Sequence, residues 1–136
     1  MNVTCTSLLV GAQEARGTAV TVDVFRAFTC SPMLFSLGIK GSILVATPEE
    51  ALALKHRDPN LILIGEVGGA PIEGFDMGNS PSQILAMEPR FFEGKMVVQR
   101  TSAGVQGALA ALDVADEVLL GSYVLAKATA RHIMAR

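Results

Sequence analysis

Aromatic residues make up only 5% of this 136-residue chain, with a single tyrosine and no tryptophan. Its apolar mass is therefore Ala, Val, Leu and Ile, the residues that buried parallel strands and small-residue helices prefer. Cysteine is scarce as well. Cys5 and Cys30 form no metal or redox spacing, which leaves them as small apolar residues in a reducing compartment. Basic clusters are missing, and a net charge of −2 with a pI of about 5.6 excludes sequence-independent nucleic-acid binding. No apolar run approaches the roughly 20 residues that span a bilayer. Residues 1–10 lack the basic flank, apolar core and small-residue cleavage site of a signal peptide. The expectation is a cytoplasmic protein with neither nucleic-acid nor membrane partners.

What is present is apolar bulk: 50% hydrophobic residues, 18% charged residues and a mean hydropathy of +0.42. A chain of this length forms one domain, residues 1–136, and buries roughly two thirds of its unfolded surface. The apolar excess points to a partner face, and a homo-oligomer is expected.

Residues 3–10 and 18–24 are β-branched runs that read as strands, bounded by Gly11 and Gly17. Thr29-Cys30-Ser31-Pro32 supplies hydroxyl caps and an early-turn proline for a short helix that Gly38 ends. Residues 42–46 form the next strand. Thr47-Pro48-Glu49-Glu50 is a capping box that opens a second helix, and Asp58-Pro59-Asn60 turns into a strand at 61–64. Ser80-Pro81-Ser82-Gln83 repeats the capping-box pattern, with Gln83 as the reciprocal partner. Further strands are predicted at 96–99 and 117–120, with helices at 104–112 and 124–134. Alternating strands and helices predict an α/β fold, a mainly parallel sheet with helices on both faces in a three-layer sandwich.

Between the strand at 61–64 and Ser80-Pro81 runs a long loop. From 65 to 81 the chain carries five glycines, two prolines and the carboxylates Glu66, Glu73 and Asp76. Such a loop loses conformational entropy on ordering and buries little, so in a compact domain it tends to serve a function. Open α/β sheets bind ligands at the carboxyl ends of their strands. That rule gathers Asp23, Arg26, Glu66, Thr101, Ser102, Gly104 and Ser122 onto one rim, joined by Glu73, Asp76, Asn79 and Ser80 from the loop. Arg26 and Arg100 stand near them. Carboxylates suit Mg²⁺, while hydroxyls and amides at helix starts suit phosphate. Two carboxylates about 5 Å apart at an effective dielectric near 20 repel by roughly 3 kcal/mol. Asp23, Glu66 and Asp76 can therefore converge only around a cation, a proton or an arginine.

Structural roles compete with each of these. Asp23 and Arg26 can pair locally as a helix cap, Asp76 and Asn79 can be turn formers, and Ser80 can be an N-cap. His56 and His132 lie on separate helices and read as surface residues.

Asp23-Val24-Phe25-Arg26-Ala27-Phe28-Thr29, Thr47-Pro48-Glu49-Glu50-Ala51-Leu52 and the run from Gly65-Glu66 through Gly74-Phe75-Asp76-Met77-Gly78-Asn79-Ser80-Pro81 are similar to signatures of the 2-phosphosulfolactate phosphatase family. The resemblance covers residues 18–130 and maps onto the N-terminal portion of that family. It implies a Mg²⁺-dependent phosphatase that converts 2-phospho-3-sulfolactate to 3-sulfolactate and phosphate, a step toward coenzyme M. It further implies catalytic roles for Asp23, Arg26, Glu66 and Asp76, with Asp23, Glu66 and Asp76 as metal ligands. Asn79 and Ser80 are the implied polar contacts to substrate, beside the rim residues Thr101, Ser102, Gly104 and Ser122. Two segments depart from the family pattern: Thr101-Ser102-Ala103-Gly104-Val105 and Gly121-Ser122-Tyr123-Val124-Leu125-Ala126 each lack an amide side chain that the family carries. A reading from another class is a catalytically inactive binding or assembly module on the same fold.

Overall fold

The computed structural model describes residues 2–135. Helix α1 spans Leu8–Gln13, followed by β1 (Thr18–Val22), α2 (Ala27–Ser36), β2 (Gly41–Leu44), α3 (Pro48–Arg57) and β3 (Ile62–Gly65). The long loop then leads into α4 (Pro81–Ala86), a 3-10 turn at Pro89–Phe91, β4 (Met96–Arg100), α5 (Gly104–Leu112), β5 (Glu117–Gly121) and α6 (Ala126–Met134). All strand pairs are parallel. They form two sheets, β1–β5 and β2–β4–β3.

Strand alternation sorts the core of the larger sheet into two layers. Ile62, Ile64 and Val97 pack with Cys30 and Leu34 of α2 and Ile84 of α4. Leu61, Leu63 and Val98 point the other way and pack with Ala51 of α3. Helices thus cover both faces, as expected. The smaller sheet turns Val118 and Leu120 toward Phe28 and Ala108. Its other side leaves Val20 and Val22 exposed.

Several elements follow directly from local chemistry. Thr47 Oγ1 accepts the Glu50 amide at 3.2 Å, while the Glu50 carboxylate takes the Ala46 amide at 3.0 Å, one residue before the expected partner. Helix α3 gains Pro48 at its first position and Lys55, His56 and Arg57 in its last turn, complementing the helix dipole.

Two expectations need correction. Residues 3–10 do not form a strand: the chain is irregular up to Ser7 and then helical over Leu8–Gln13, against α5. Ser80 does not close a capping box. Its hydroxyl pairs with that of Ser82 at 2.9 Å, and Gln83 Oε1 accepts the Gly78 amide at 2.9 Å, tying the helix to the loop before it.

Candidate active site

Parallel strands bring their carboxyl ends to one rim, and the turn between β4 and α5 is its centre. Thr101 is buried and its Oγ1 accepts the Val105 amide at 3.1 Å, capping α5. Ser102 faces Glu66. Its amide donates to Glu66 Oε1 at 2.6 Å and its hydroxyl to Oε2 at 3.1 Å. The Gly69 amide donates to the same Oε2 at 2.6 Å, and the Gly68 amide to Ser102 Oγ at 2.8 Å. Gly68 and Gly69 supply these amides from left-handed backbone, φ +57° and +84°, where a side chain would be strained. Burial pushes the Glu66 carboxyl up, but the bonds from Ser102 and Gly69 and the Arg100 charge carry it below its ordinary value.

Arg100, the last residue of β4, binds three loops together. Its Nη1 donates to Glu66 O at 2.8 Å and to Ser102 Oγ at 3.2 Å, and its Nε to Ala46 O at 3.3 Å. Among the described residues its Nη2 has no protein partner, so the two hydrogens of that nitrogen are free. Gln106 adds a second tie, donating from Nε2 to Ala46 O at 2.9 Å and Thr101 O at 3.2 Å.

Asp23 reaches the same turn from the other side. A Cβ at Gly104 would overlap its carboxylate, so the glycine is what lets Asp23 lie against the start of α5. The Asp23 amide donates to Gly121 O at 3.0 Å. Because Val22 pairs with Gly121, Asp23 and Ser122 emerge level from their strands. Ser122 is buried, and its Oγ finds no partner among the described residues. Arg26 is exposed at the start of α2. Burial pushes the Cys30 thiol up to about 11, with Arg26 pulling it down and Asp23 pushing it up, which puts both charges close to the first turns of α2.

Asp76 is elsewhere. Its Oδ2 accepts Lys55 Nζ at 2.7 Å and the Leu63 amide at 2.8 Å, and the same Nζ reaches Leu61 O at 2.8 Å. Those contacts lie back along β3, away from Glu66. Among the described residues no group of three or more His, Cys, Asp or Glu side chains is placed to hold a metal. The expected cage of Asp23, Glu66 and Asp76 is therefore not assembled, because Lys55 has neutralised the third acid. Asp23 and Glu66 do flank one turn, and Mg²⁺ often takes only one or two carboxylates beside phosphate oxygens and water.

Asn79 lies level with Glu66, since Met77 pairs in parallel with Ile64. It is buried and its Oδ1 has no partner among the described residues. Ser80 is half-buried at the start of α4. A groove of about 460 Å³ runs beside α4, lined by Ile72, Phe75, Met77, Gln83 and Met87 among others. It holds neither Glu66 nor Arg100 nor Ser102, and its apolar lining does not suit an anion. The rim is the better candidate.

Sequence reading missed the central place of Arg100. It sits inside the strand rather than past it, although its position directly before Thr101 was the available signal.

Fold and rim together define an α/β protein whose strand ends gather two acids, two arginines and a set of amide donors around one turn. The sequence profile described as 2-phosphosulpholactate phosphatase matches residues 5–136. Similar proteins include a probable 2-phosphosulfolactate phosphatase of Bacillus subtilis, 39% identical over 114 residues, which cover 84% of this chain and 48% of the relative. Another, from Caldicellulosiruptor saccharolyticus, is 41% identical over 116 residues, 85% of this chain and 46% of the relative. The 2-phosphosulfolactate phosphatase of Methanocaldococcus jannaschii is 36% identical over 119 residues, 85% of this chain and 49% of the relative. The chain belongs to the 2-phosphosulfolactate phosphatase family. It spans about half the length of the curated relatives it matches.

Proposed function

We propose that this chain carries the phosphate-handling site of a phosphatase acting on a small anionic phosphoester, with 2-phospho-3-sulfolactate as the substrate its relatives' names suggest. The observation that supports this most is the free Nη2 of Arg100, whose guanidinium is held at the rim by bonds to Glu66 O and Ala46 O. A guanidinium fixed through Nε and Nη1 is well suited to grip a phosphoryl oxygen with its remaining nitrogen. Arg26 brings a second positive charge to that rim. Glu66, with its lowered pKa and its three donors, acts as a fixed anion that orients Ser102 and Gly69 rather than as a proton acceptor. Among the described residues the Asp23 carboxylate accepts no hydrogen bond, which leaves its oxygens open to a cation at the rim. Mg²⁺ belongs to the proposal with Asp23 as the carboxylate open to hold it, since both Glu66 oxygens already accept hydrogen bonds. Such an ion would neutralise charge on the phosphoryl oxygens. A homo-oligomer and a cytoplasmic location are part of the same reading, the former supported by the exposed Val20 and Val22.

The test is Mg²⁺-dependent release of phosphate from a panel of small phosphoesters that includes 2-phospho-3-sulfolactate. Arg100→Ala and Asp23→Asn should each lower release at least tenfold. Turnover that neither substitution reduces would remove the site from consideration. A second reading, a binding module without turnover, is favoured by the internal pairing of both Glu66 and Asp76. Mg²⁺-linked thermal stabilisation with no phosphate release would select it.

A further inference from the structure

Gln99 is an anomaly in the core. It lies in the middle strand of the larger sheet, 1% exposed, among residues that are otherwise apolar. Its alternation matches that of Val97, so it points toward α2. Its Oε1 accepts Ser31 Oγ of α2 at 2.9 Å and Ser42 Oγ of β2 at 2.9 Å. Ser31 Oγ also donates to Ala27 O at 3.1 Å, while Gln99 Nε2 has no partner among the described residues. Turning the amide over preserves the cluster: Nε2 then donates to both hydroxyls, and the one hydrogen of Ser31 is left for Ala27 O. In either orientation one glutamine joins the first turns of α2 to β2 and β4.

A purely stabilising core position would be filled more simply by an aliphatic side chain, because a buried polar cluster contributes little net stability and demands fixed geometry. What this cluster fixes is a register. The residue after Gln99 is Arg100, and two further on is Ser102. Ser31 lies in the helix whose N-cap is Arg26 and whose start follows Asp23. Ala27 O, the fourth member of the cluster, belongs to the residue directly after Arg26. Among the described residues nothing else polar in the core spans these elements: the other buried polar side chains, Asn79, Thr101 and Ser122, lie at the rim.

We propose that Gln99 is a positioning residue, which through Ser31 sets the first turn of α2, and with it Asp23 and Arg26, against the Arg100–Ser102 edge. The inference rests on the rim site described under Proposed function. It implies that Gln99 acts on alignment, through kcat, and not on the fold as such.

Two variants separate alignment from stability. Gln99→Met removes the amide and leaves the two hydroxyls behind. The triple variant Gln99→Met with Ser31→Ala and Ser42→Ala removes the whole polar cluster and leaves no unpaired group, so it should melt within a few degrees of wild type. The expected result is a kcat for phosphate release lowered at least tenfold in both, with KM changed less than threefold. A triple variant that recovers wild-type kcat along with its melting temperature would overturn the proposal. If the wild-type chain releases no phosphate from any phosphoester, the activity reading fails separately, and the amide resonances decide the role of Gln99. Shifts at Arg26 and Asp23 in the triple variant support it; shifts confined to residues in direct contact with Gln99, Ser31 and Ser42 overturn it.

Discussion

Replacing Glu66 with glutamine is the most direct probe of the rim. The carboxylate accepts the Ser102 amide at 2.6 Å, the Gly69 amide at 2.6 Å and the Ser102 hydroxyl at 3.1 Å. A neutral amide can meet the donors at one oxygen only; its NH₂ then faces an N–H on the other side. A hydrogen bond to a charged group contributes about 1.5–3 kcal/mol, so losing one and weakening the others at a partly solvated rim costs about 2 kcal/mol. For a chain of this size that is a fall in Tm of about 7 °C. The effect depends on pH in a definite sense. The folded-state pKa of Glu66 is lowered from 4.5, so its stabilisation is complete above that value and disappears as pH falls through the folded pKa. Thermal unfolding of both proteins from pH 7 down to pH 3 should therefore show a gap that narrows below about pH 4.5. A glutamine variant as stable as wild type at pH 7, or a gap that stays constant into acid, would refute the assigned role.

Other perturbations give distinct outcomes. Lys55→Ala should destabilise by about 1 kcal/mol, since the pair is only partly buried, and in a double-mutant cycle with Asp76→Ala the losses should be less than additive. Independent, fully additive effects in unfolding titrations would show that the 2.7 Å contact contributes nothing. Gly104→Ala forces a methyl into the space of the Asp23 carboxylate and should cost about 1–3 kcal/mol; unchanged denaturant midpoint would mean Asp23 is free to swing away. Arg100→Lys keeps the charge but cannot span Ala46 O, Glu66 O and Ser102 Oγ together, so kcat/KM for phosphate release should fall about tenfold, equivalent to 1.4 kcal/mol. Wild-type activity in the lysine variant would argue for a simple point charge.

Local chemistry made most of the architecture readable in advance. Helix α5 begins and ends where glycine and an alanine-rich run place it, and the Thr47 cap forms from residues three apart. Residues 3–10 misled because their β-branched content describes a strand without a neighbour to pair with; in the structure the segment stays irregular to Ser7 and only its end enters the helix that meets α5. Ser80 misled because a short-range motif competed with a loop that claims Gln83 for Gly78. The rim rule correctly brought Asp23, Glu66, Ser102 and Gly104 to one turn. It failed for Asp76, whose fate depends on Lys55, 21 residues earlier. A sequence shows that an acid is present, but not which base from another element will reach it first. Gln99 was hidden for the same kind of reason: its two serines come from α2 and β2, 68 and 57 residues away.

Gly65 carries a consequence of its own. A Cβ there would strike the carbonyl oxygen of Arg100 and the ring of Phe75. Backbone meets backbone at that point with no slack, so the hinge between strand and loop is closed to every other amino acid. Adaptation toward a new substrate would have to leave that joint and the left-handed Gly68 and Gly69 alone and work through the side chains of Val67 and 70–73, which are mostly exposed. Diversity in this protein's descendants should accumulate on that short arc and stop abruptly at its base.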